Sequence, residues 1–404
     1  MDALDIMTDL DNAIPFFQPI FSADEHRAIA YEILGRYRTP NGLISLGPFF
    51  QDTEIPEEYR LEVDLAILEK AFEQAVHLDG DILFFINRDA DLLMYDHEQK
   101  LLQLILSFQE RGVSPDQVVL EVSERNYDGK FEDLDHLLRY YRTYGIKVAI
   151  DKIGNDSSHL DRISQLEPDI LKVSLQLLRS TAIGPAYQDV LFSLSLLARK
   201  IGAALLFENI ETAFQLRFAW KNGGRYYQGH YLMEPAANFV DSHILKEKLK
   251  NECHEFILSE KKKLETLFAL SEEFNTRIHE LLAKHKRLTD YSQLLQTLAI
   301  ETDDMAFRMY ICDEDGFQKS PNVFKSSQNW IIQPEYIEKN WSWRPYFLEN
   351  IIKMRKERKG ILSDRYNDIE TGETIRTFCL PVNSRHFLFI DLSSTYLYDR
   401  EGLF

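Results

Sequence analysis

Positive charge is in short supply in this chain: Lys plus Arg number 46 against 65 for Asp plus Glu, a net charge of −19 over 404 residues. That balance argues against non-specific binding to a nucleic-acid polymer or an anionic membrane surface. A small phosphorylated ligand remains compatible with it, because one local pocket can oppose the global charge. Cysteine is nearly absent. Cys253, Cys312 and Cys379 lie far apart and form no metal-spaced pair, so reduced thiols in a cytoplasmic protein are the expectation. Nowhere do about 18 uncharged apolar residues run together, so no membrane span is expected. The opening stretch MDALDIMTDLDNAIPFFQPI carries four Asp and no Lys or Arg, unlike a secretory signal.

What is present is enough apolar material for a large core, 45% hydrophobic and 12% aromatic residues. Short β-rich runs recur at 16–22, 28–34, 82–88, 118–124, 147–152, 170–174, 204–210 and 226–232. Between them lie segments such as LEVDLAILEKAFEQAV, with apolar residues at three- and four-residue steps. Strand–helix alternation implies a parallel α/β sheet. Eight strands in about 240 residues predict a (β/α)8 TIM-like barrel rather than an open sheet. The first two runs are too close for a crossover helix, so they are expected to pair as an antiparallel hairpin.

The composition then shifts. Residues 241–298 are dense in charge and lack Pro and Gly after Ser242, which predicts a helical linker following a barrel at 1–240. Leu264, Leu267, Ser271, Phe274, Ile278, Leu281, His285 and Leu288 form a heptad seam, suited equally to internal docking or to a homodimer. Residues 299–404 read as a small α+β domain, with strands joined by turns at Thr371-Gly372 and Asn383-Ser384.

The chemistry lies at the strand ends. Glu32, Asn87, Glu121 with Glu124, Asp151, Lys172, and Glu208 with Glu211 fall at the carboxyl ends of the predicted strands, the active face of such barrels. A single acid at a strand tip is usually solvated, but six polar groups in register on successive strands point to one pocket. Three or four converging carboxylates need a counter-charge. A divalent, oxygen-ligated cation such as Mg2+ or Mn2+ supplies it, with Asn87 as a neutral oxygen donor. A metal-free hydrolase using paired carboxylates is the rival reading; Asn87, Lys172 and Arg36 suit metal and phosphate better.

These residues resemble the EAL-domain family of cyclic-di-GMP phosphodiesterases. The naming motif appears as EILGRY from Glu32 to Tyr37, the early QP pair is Gln18-Pro19, and the Asn-bearing strand is INR at Asn87. EVSE holds Glu121 and Glu124, KVS begins at Lys172, ENIET spans Glu208 to Thr212, and QG is Gln228-Gly229. The resemblance implies that Glu32, Asn87, Glu121 and Asp151 ligate one divalent cation, Mg2+ or Mn2+ with Ca2+ as a substitute. It implies that Glu124 steadies the loop after Asp151, and that Glu208, Lys172 and Lys152 hold the catalytic positions. Gln18, Leu34, Arg36, Asp151, Lys152, Glu211 and Gln228 would contact cyclic di-GMP. The stretch NWSWRPYF, Asn340 to Phe347, resembles PAS-like folds of the Cache sensor type. There it borders a small-ligand pocket, so the last domain is expected to be a sensor with an unknown ligand.

One departure is informative. Active EAL proteins carry two successive Asp at the fifth barrel strand, where this chain has Asp151-Lys152, and their loop continues differently at Asn155, Asp156 and Ser157. At 4 Å and an effective dielectric of about 20, a unit charge pair is worth roughly 4 kcal/mol. Exchanging an anion for a cation beside a second divalent ion therefore disfavours that ion by up to about 16 kcal/mol before relaxation and screening. The expectation is a cyclic-di-GMP-binding signalling protein with weak or absent hydrolysis. The alternative is an active metal-dependent phosphodiesterase producing the linear dinucleotide pGpG.

Overall fold

The computed structural model describes residues 3–398, apart from 79–80, 124–126, 128, 154–162, 164, 180–184, 328 and 345–346. At 152–153, 179 and 185–188 it describes the backbone alone. The chain divides into two units, Met1–Phe256 and Ile257–Phe404.

In the first unit β1 (Ala13–Ser22) and β2 (Ala28–Thr39) form the expected antiparallel hairpin, and β3 (Gly42–Ser45) folds back on β2. Then come β4 (Leu83–Asp89), β5 (Val118–Ser123), β6 (Lys147–Ile153), β7 (Ile170–Ser174), β8 (Ala204–Glu208) and β9 (Tyr226–Tyr227). The sheet runs β1-β9-β8-β7-β6-β5-β4-β2-β3, and the β1–β2 pairing closes it. Eight strands thus form the barrel, with β3 outside the ring. From β2 through β9 the neighbours are parallel, while β1 is antiparallel to both of its partners. The eighth strand is shorter than the sequence suggests because Gly229 has φ +152°, and a Cβ there would stand 2.2 Å from the Ile210 carbonyl oxygen. Only glycine permits that approach.

Strand side chains alternate between two faces. Phe84, Ile86, Val118, Leu120, Val148, Ile150, Leu171, Val173, Leu205 and Phe207 belong to the large core between strands and helices. The other set, Ile20, Ala30, Phe85, Val119, Ala149, Ile170 and Leu206, forms a separate apolar plug inside the barrel. One step of two residues further up each strand stand Glu32, Asn87, Glu121, Asp151, Lys172 and Glu208, with Gln18 on the oppositely directed β1. The plug floors the polar layer.

The long helix Lys246–Lys284 begins in this unit, and its first turns cover the barrel through Leu249 and Phe256. The second unit contains the rest of that helix, the helix Tyr291–Glu301, and an antiparallel sheet. Its strands are β10 (Ala306–Asp313), β11 (Asn322–Ser326), β12 (Asn329–Gln333), β13 (Ile361–Leu362), β14 (Tyr366–Asn367), β15 (Thr374–Pro381) and β16 (His386–Leu392), in order β12-β11-β10-β16-β15-β13 with β14 beside β15. This is the expected small α+β domain. Of the heptad seam, Phe274 and Ile278 are buried against Met309, Phe378 and Ile390, so this part docks internally, whereas Leu264 stays 53% exposed. Arg308 is buried among Asp368, Glu370 and Asp391, a single cation donating to their carboxylates at 2.8, 2.9 and 2.5 Å. Trp341 donates to Gln318, and Arg344 lies over its ring, but Trp343 is 63% exposed and takes no part in a core. Pro345 and Tyr346 of the same stretch lie outside the described residues. Among the described residues no helix is long and apolar enough to cross a membrane.

Phe274→Ala should cost the second unit about 3–5 kcal/mol, the usual penalty for emptying a buried phenylalanine site. Calorimetry would read it as a lowered transition for that unit; an unchanged trace would mean that the seam is not docked there.

Candidate functional site

Lys172, 1% exposed, is the hub of the polar layer. Its ammonium contacts Glu121, the Glu32 carboxylate at 3.1 Å and the Glu208 carboxylate at 3.6 Å. Burial alone would favour a neutral amine, but Glu121, Glu32, Glu208 and Asp151 outweigh it and hold the lysine protonated well above its ordinary range. Glu32 is likewise buried. Its burial penalty is exceeded by the Lys172 charge and by hydrogen bonds that Asn87 Nδ2 (2.6 Å) and Gln228 Nε2 (2.6 Å) donate to it, so its carboxyl titrates below the usual range. Glu121 behaves oppositely. Burial, Glu32 and Asp151 raise its proton affinity well above normal despite the contact with Lys172.

One lysine therefore faces four carboxylates, and the deficit is local. Glu121 Oε2 is buried and has no hydrogen-bond partner among the described residues, an open oxygen that a cation would satisfy. Glu32, Asn87, Glu121, Asp151 and Glu208 all line one cavity of about 270 Å3 at the strand tips, which Leu34 and Arg36 enter from β2. This donor set, carboxylates plus an amide oxygen, is the chemistry of a hard divalent ion. Among the described residues no three acidic, cysteine or histidine side chains already enclose a common point. Lys172 draws the carboxylates onto itself, so an ion entering here exchanges partners with that ammonium.

Other residues named from the sequence fall around this cluster rather than in it. Gln228, 2% exposed, bridges Glu32 and the Gln18 side-chain oxygen (3.2 Å), and Gln18 Nε2 reaches the Met233 carbonyl at 3.5 Å. Neither lines the cavity. Glu211 lies beyond β8, where Gln215 accepts from its backbone at the start of the helix Ala213–Lys221. The side chain of Lys152 lies outside the described residues, as do Glu124 and the loop with Gly154, Asn155, Asp156, Ser157 and Ser158. Arg36 is half-buried, its guanidinium held by the Gly35 carbonyl at 2.9 Å, and burial lowers its proton affinity.

Three further residues contribute that no sequence pattern marks. Asn209 takes φ +57° and donates to both Ser174 Oγ (3.0 Å) and Glu208 Oε1 (3.2 Å). Asparagine tolerates that conformation better than most residues, and from it the side chain ties Ser174 to Glu208. The buried Arg88 pairs with the partly exposed Asp64 in the cavity wall, and burial pushes the Arg88 proton affinity down to about 10. Arg88 follows Asn87 directly, yet on a strand that neighbour faces away from the barrel interior, so its spacing gave no sign of a part in the site.

The first turns of the long helix secure the segment that carries Gln228. Tyr231 Oη donates to Glu252 at 2.5 Å, and Lys248 Nζ donates to the Tyr231 carbonyl at 2.7 Å. Ile210 and Tyr231 exchange with the same segment through the backbone, Ile210 N to Gln228 O at 3.1 Å and Tyr231 N to Ile210 O at 3.0 Å.

The EAL domain model matches residues 1–235. The chain belongs to the EAL family. Residues 239–404 match a second model, described as an EAL-domain associated signalling protein domain. YkuI of Bacillus subtilis (strain 168), an uncharacterised EAL-domain protein, is 51% identical over 405 residues and covers 100% of both chains. The YkuI crystal structure in complex with cyclic di-GMP and calcium superposes with a TM-score of 0.95 over 100% of each chain. The probable cyclic di-GMP phosphodiesterase PdeG of Escherichia coli K12 is 26% identical over 236 residues, 56% of this chain and 45% of PdeG. A manganese and cyclic-di-GMP complex of Klebsiella pneumoniae BlrP1 is 28% identical with a TM-score of 0.50, covering 56% of this chain and 57% of BlrP1.

Lys172→Met should destabilise the first unit by about 3–5 kcal/mol in EDTA, the cost of leaving a buried charge without its partner. Chemical denaturation reads it directly. A midpoint equal to the parent's would mean that Glu32 is not held as an anion by this lysine.

Proposed function

We propose that this protein binds cyclic di-GMP through one divalent cation at the strand-tip cluster and turns it over slowly or not at all. The observation that carries the reading is the gathering of Glu32, Asn87, Glu121, Asp151 and Glu208 in one cavity with Arg36 at its edge. It is supported by likeness over the full length to a protein whose structure holds cyclic di-GMP and calcium.

In this reading Glu32, Asn87, Glu121 and Asp151 hold the cation, Mg2+ or Mn2+ in the cell and Ca2+ as a substitute. The cation supplies charge to bind a phosphodiester oxygen and polarise the phosphorus. Arg36 grips a phosphate with its planar fork, Leu34 and Gln18 border the nucleotide, and Gln228 fixes Glu32. Lys172 keeps Glu32 ionised and is placed to orient a water, with Glu208, braced by Asn209, as the group to take its proton. Glu124 steadies the loop after Asp151. Lys152, where active relatives have a second acid, opposes a second divalent ion, and two-ion sites stabilise both attacking and leaving oxygens. Ground-state binding survives such a loss better than turnover does.

The barrel, residues 1–240, is then the nucleotide-binding part of a cytoplasmic homodimer. Residues 241–298 link it to a sensor-like domain, 299–404, with a small ligand of its own. The active phosphodiesterase stands as the second reading, favoured by the intact Glu208 and Lys172.

With Mn2+ or Ca2+, titration calorimetry should give saturable cyclic-di-GMP binding that EDTA removes and that Arg36→Ala weakens about tenfold or more, the scale of one charge-assisted hydrogen bond. Failure to bind at all would sink the reading. Conversion to pGpG over hours should be near background in the parent and rise in Lys152→Asp. Brisk hydrolysis by the parent would establish the second reading instead.

A further inference from the structure

The barrel has a second opening at the opposite end, where β4, β6, β7, β8 and β9 begin. A groove of about 590 Å3 lies there between the first residues of those strands, the end of the helix Pro185–Ile201 and the turn after the helix Ala213–Lys221. Its wall carries four cations, Lys147, Arg199, Lys221 and Arg225, and one acid, Asp169. In a chain of net charge −19, an excess of three positive charges around one hollow is a local reversal of sign.

The acid is already engaged. Asp169 accepts from the Val148 backbone at 2.8 Å, with Arg142 3.9 Å away. Lys147 donates to the Asp116 carbonyl at 2.7 Å and pairs with no carboxylate among the described residues, and Arg225 shares its charge with Asp24 at 3.1 Å. Arg199 makes no ion pair or hydrogen bond through its guanidinium with any described residue. The same groove has an aromatic and apolar side. Phe192 is 53% exposed and Leu196 46% exposed on its rim, and the half-buried Tyr226 ring lies under the Arg225 guanidinium at 5.5 Å. Large apolar side chains left in water beside a concavity, together with a few convergent polar groups, are the usual makings of a small-ligand site.

We propose that this groove binds a small aromatic anion of the mononucleotide class, at a site separate from the strand-tip cluster. The phosphates lie against Arg199 and Lys221, and the flat ring packs on Phe192 and Tyr226. Guanidinium forks suit phosphate oxygens, and exposed aromatic faces take a base without regard to its identity. Charge without the rings would hold inorganic phosphates equally well, and rings without charge would hold an uncharged nucleoside. The combination selects the nucleotide.

The test uses the full-length chain with ATP as probe, in EDTA so that the strand-tip site holds no cation. Titration calorimetry should show one saturable site per chain, weaker at higher salt and tighter for ATP than for pyrophosphate. Arg199→Glu combined with Lys221→Glu, two exposed positions, should weaken it about tenfold or more, as expected for reversing two phosphate contacts. Arg36→Ala, at the other mouth, should leave it unchanged. Absence of saturable ATP binding, pyrophosphate affinity equal to that of ATP, or loss of binding in Arg36→Ala would each overturn the proposal. So would sedimentation showing that the double variant splits a dimer while ATP affinity stays as it was, because a second copy would then cover the groove.

Discussion

A single ammonium group holds the barrel mouth together. Lys172 reaches Glu121, Glu32 and Glu208 from the middle of the polar layer, and without it two or three buried carboxylates would repel one another in a medium that screens poorly. The remaining contacts are arranged around that choice. Asn87 and Gln228 donate to Glu32, Asn209 donates to Glu208, and Gln228 is itself fixed by Gln18 and by the backbone around Ile210. The apolar plug two residues below keeps water from reaching the cluster through the barrel. Such a cluster is poised rather than settled, since Glu121 retains an unbonded oxygen.

The fold was legible because strand periodicity and the positions of polar tips agree. Every strand of the ring carries an apolar residue at the plug level and a polar one two positions along, and only a closed barrel brings eight such strands to one axis. That regularity also makes Glu32, Asn87, Glu121, Asp151, Lys172 and Glu208 readable as a set in the sequence. What failed to read were features that depend on local backbone or on the other face of a strand. The eighth strand ends after Tyr227 because Gly229 packs on Ile210, a tertiary contact with no periodic signature. Asn209 at φ +57° and the Arg88–Asp64 pair belong to the same category. The heptad seam left docking and dimerisation equally open, and burial of Phe274 and Ile278 required the sheet of the second unit to be in place.

The helix Lys246–Lys284 matters to the site because of where it starts. Glu252 and Lys248 hold Tyr231, three residues from the Gln228 that steadies Glu32. Leu249 and Phe256 pack on the same side of the barrel. A ligand can shift an equilibrium only through contacts that differ between two states. Here the contacts available to differ are those two hydrogen bonds and that packing, a short physical route from the helix to a proposed metal ligand.

Charge arithmetic gives the substitution at position 152 its meaning. The resemblance to EAL proteins with two acids at the fifth barrel strand implies five carboxylates, one lysine and two divalent ions there, a sum of zero. Counted the same way for the proposed site, four carboxylates with Lys172 and a lysine at position 152 need one divalent ion to bring the sum to zero. A second ion would leave an excess of two positive charges in a site built to be balanced, at an energetic cost of several kcal/mol at the dielectric of a protein surface. On this reading Lys152 does more than remove a ligand. It takes over the electrostatic share of the missing ion, so the site can be complete for holding a phosphodiester while lacking the second Lewis acid that cleavage uses.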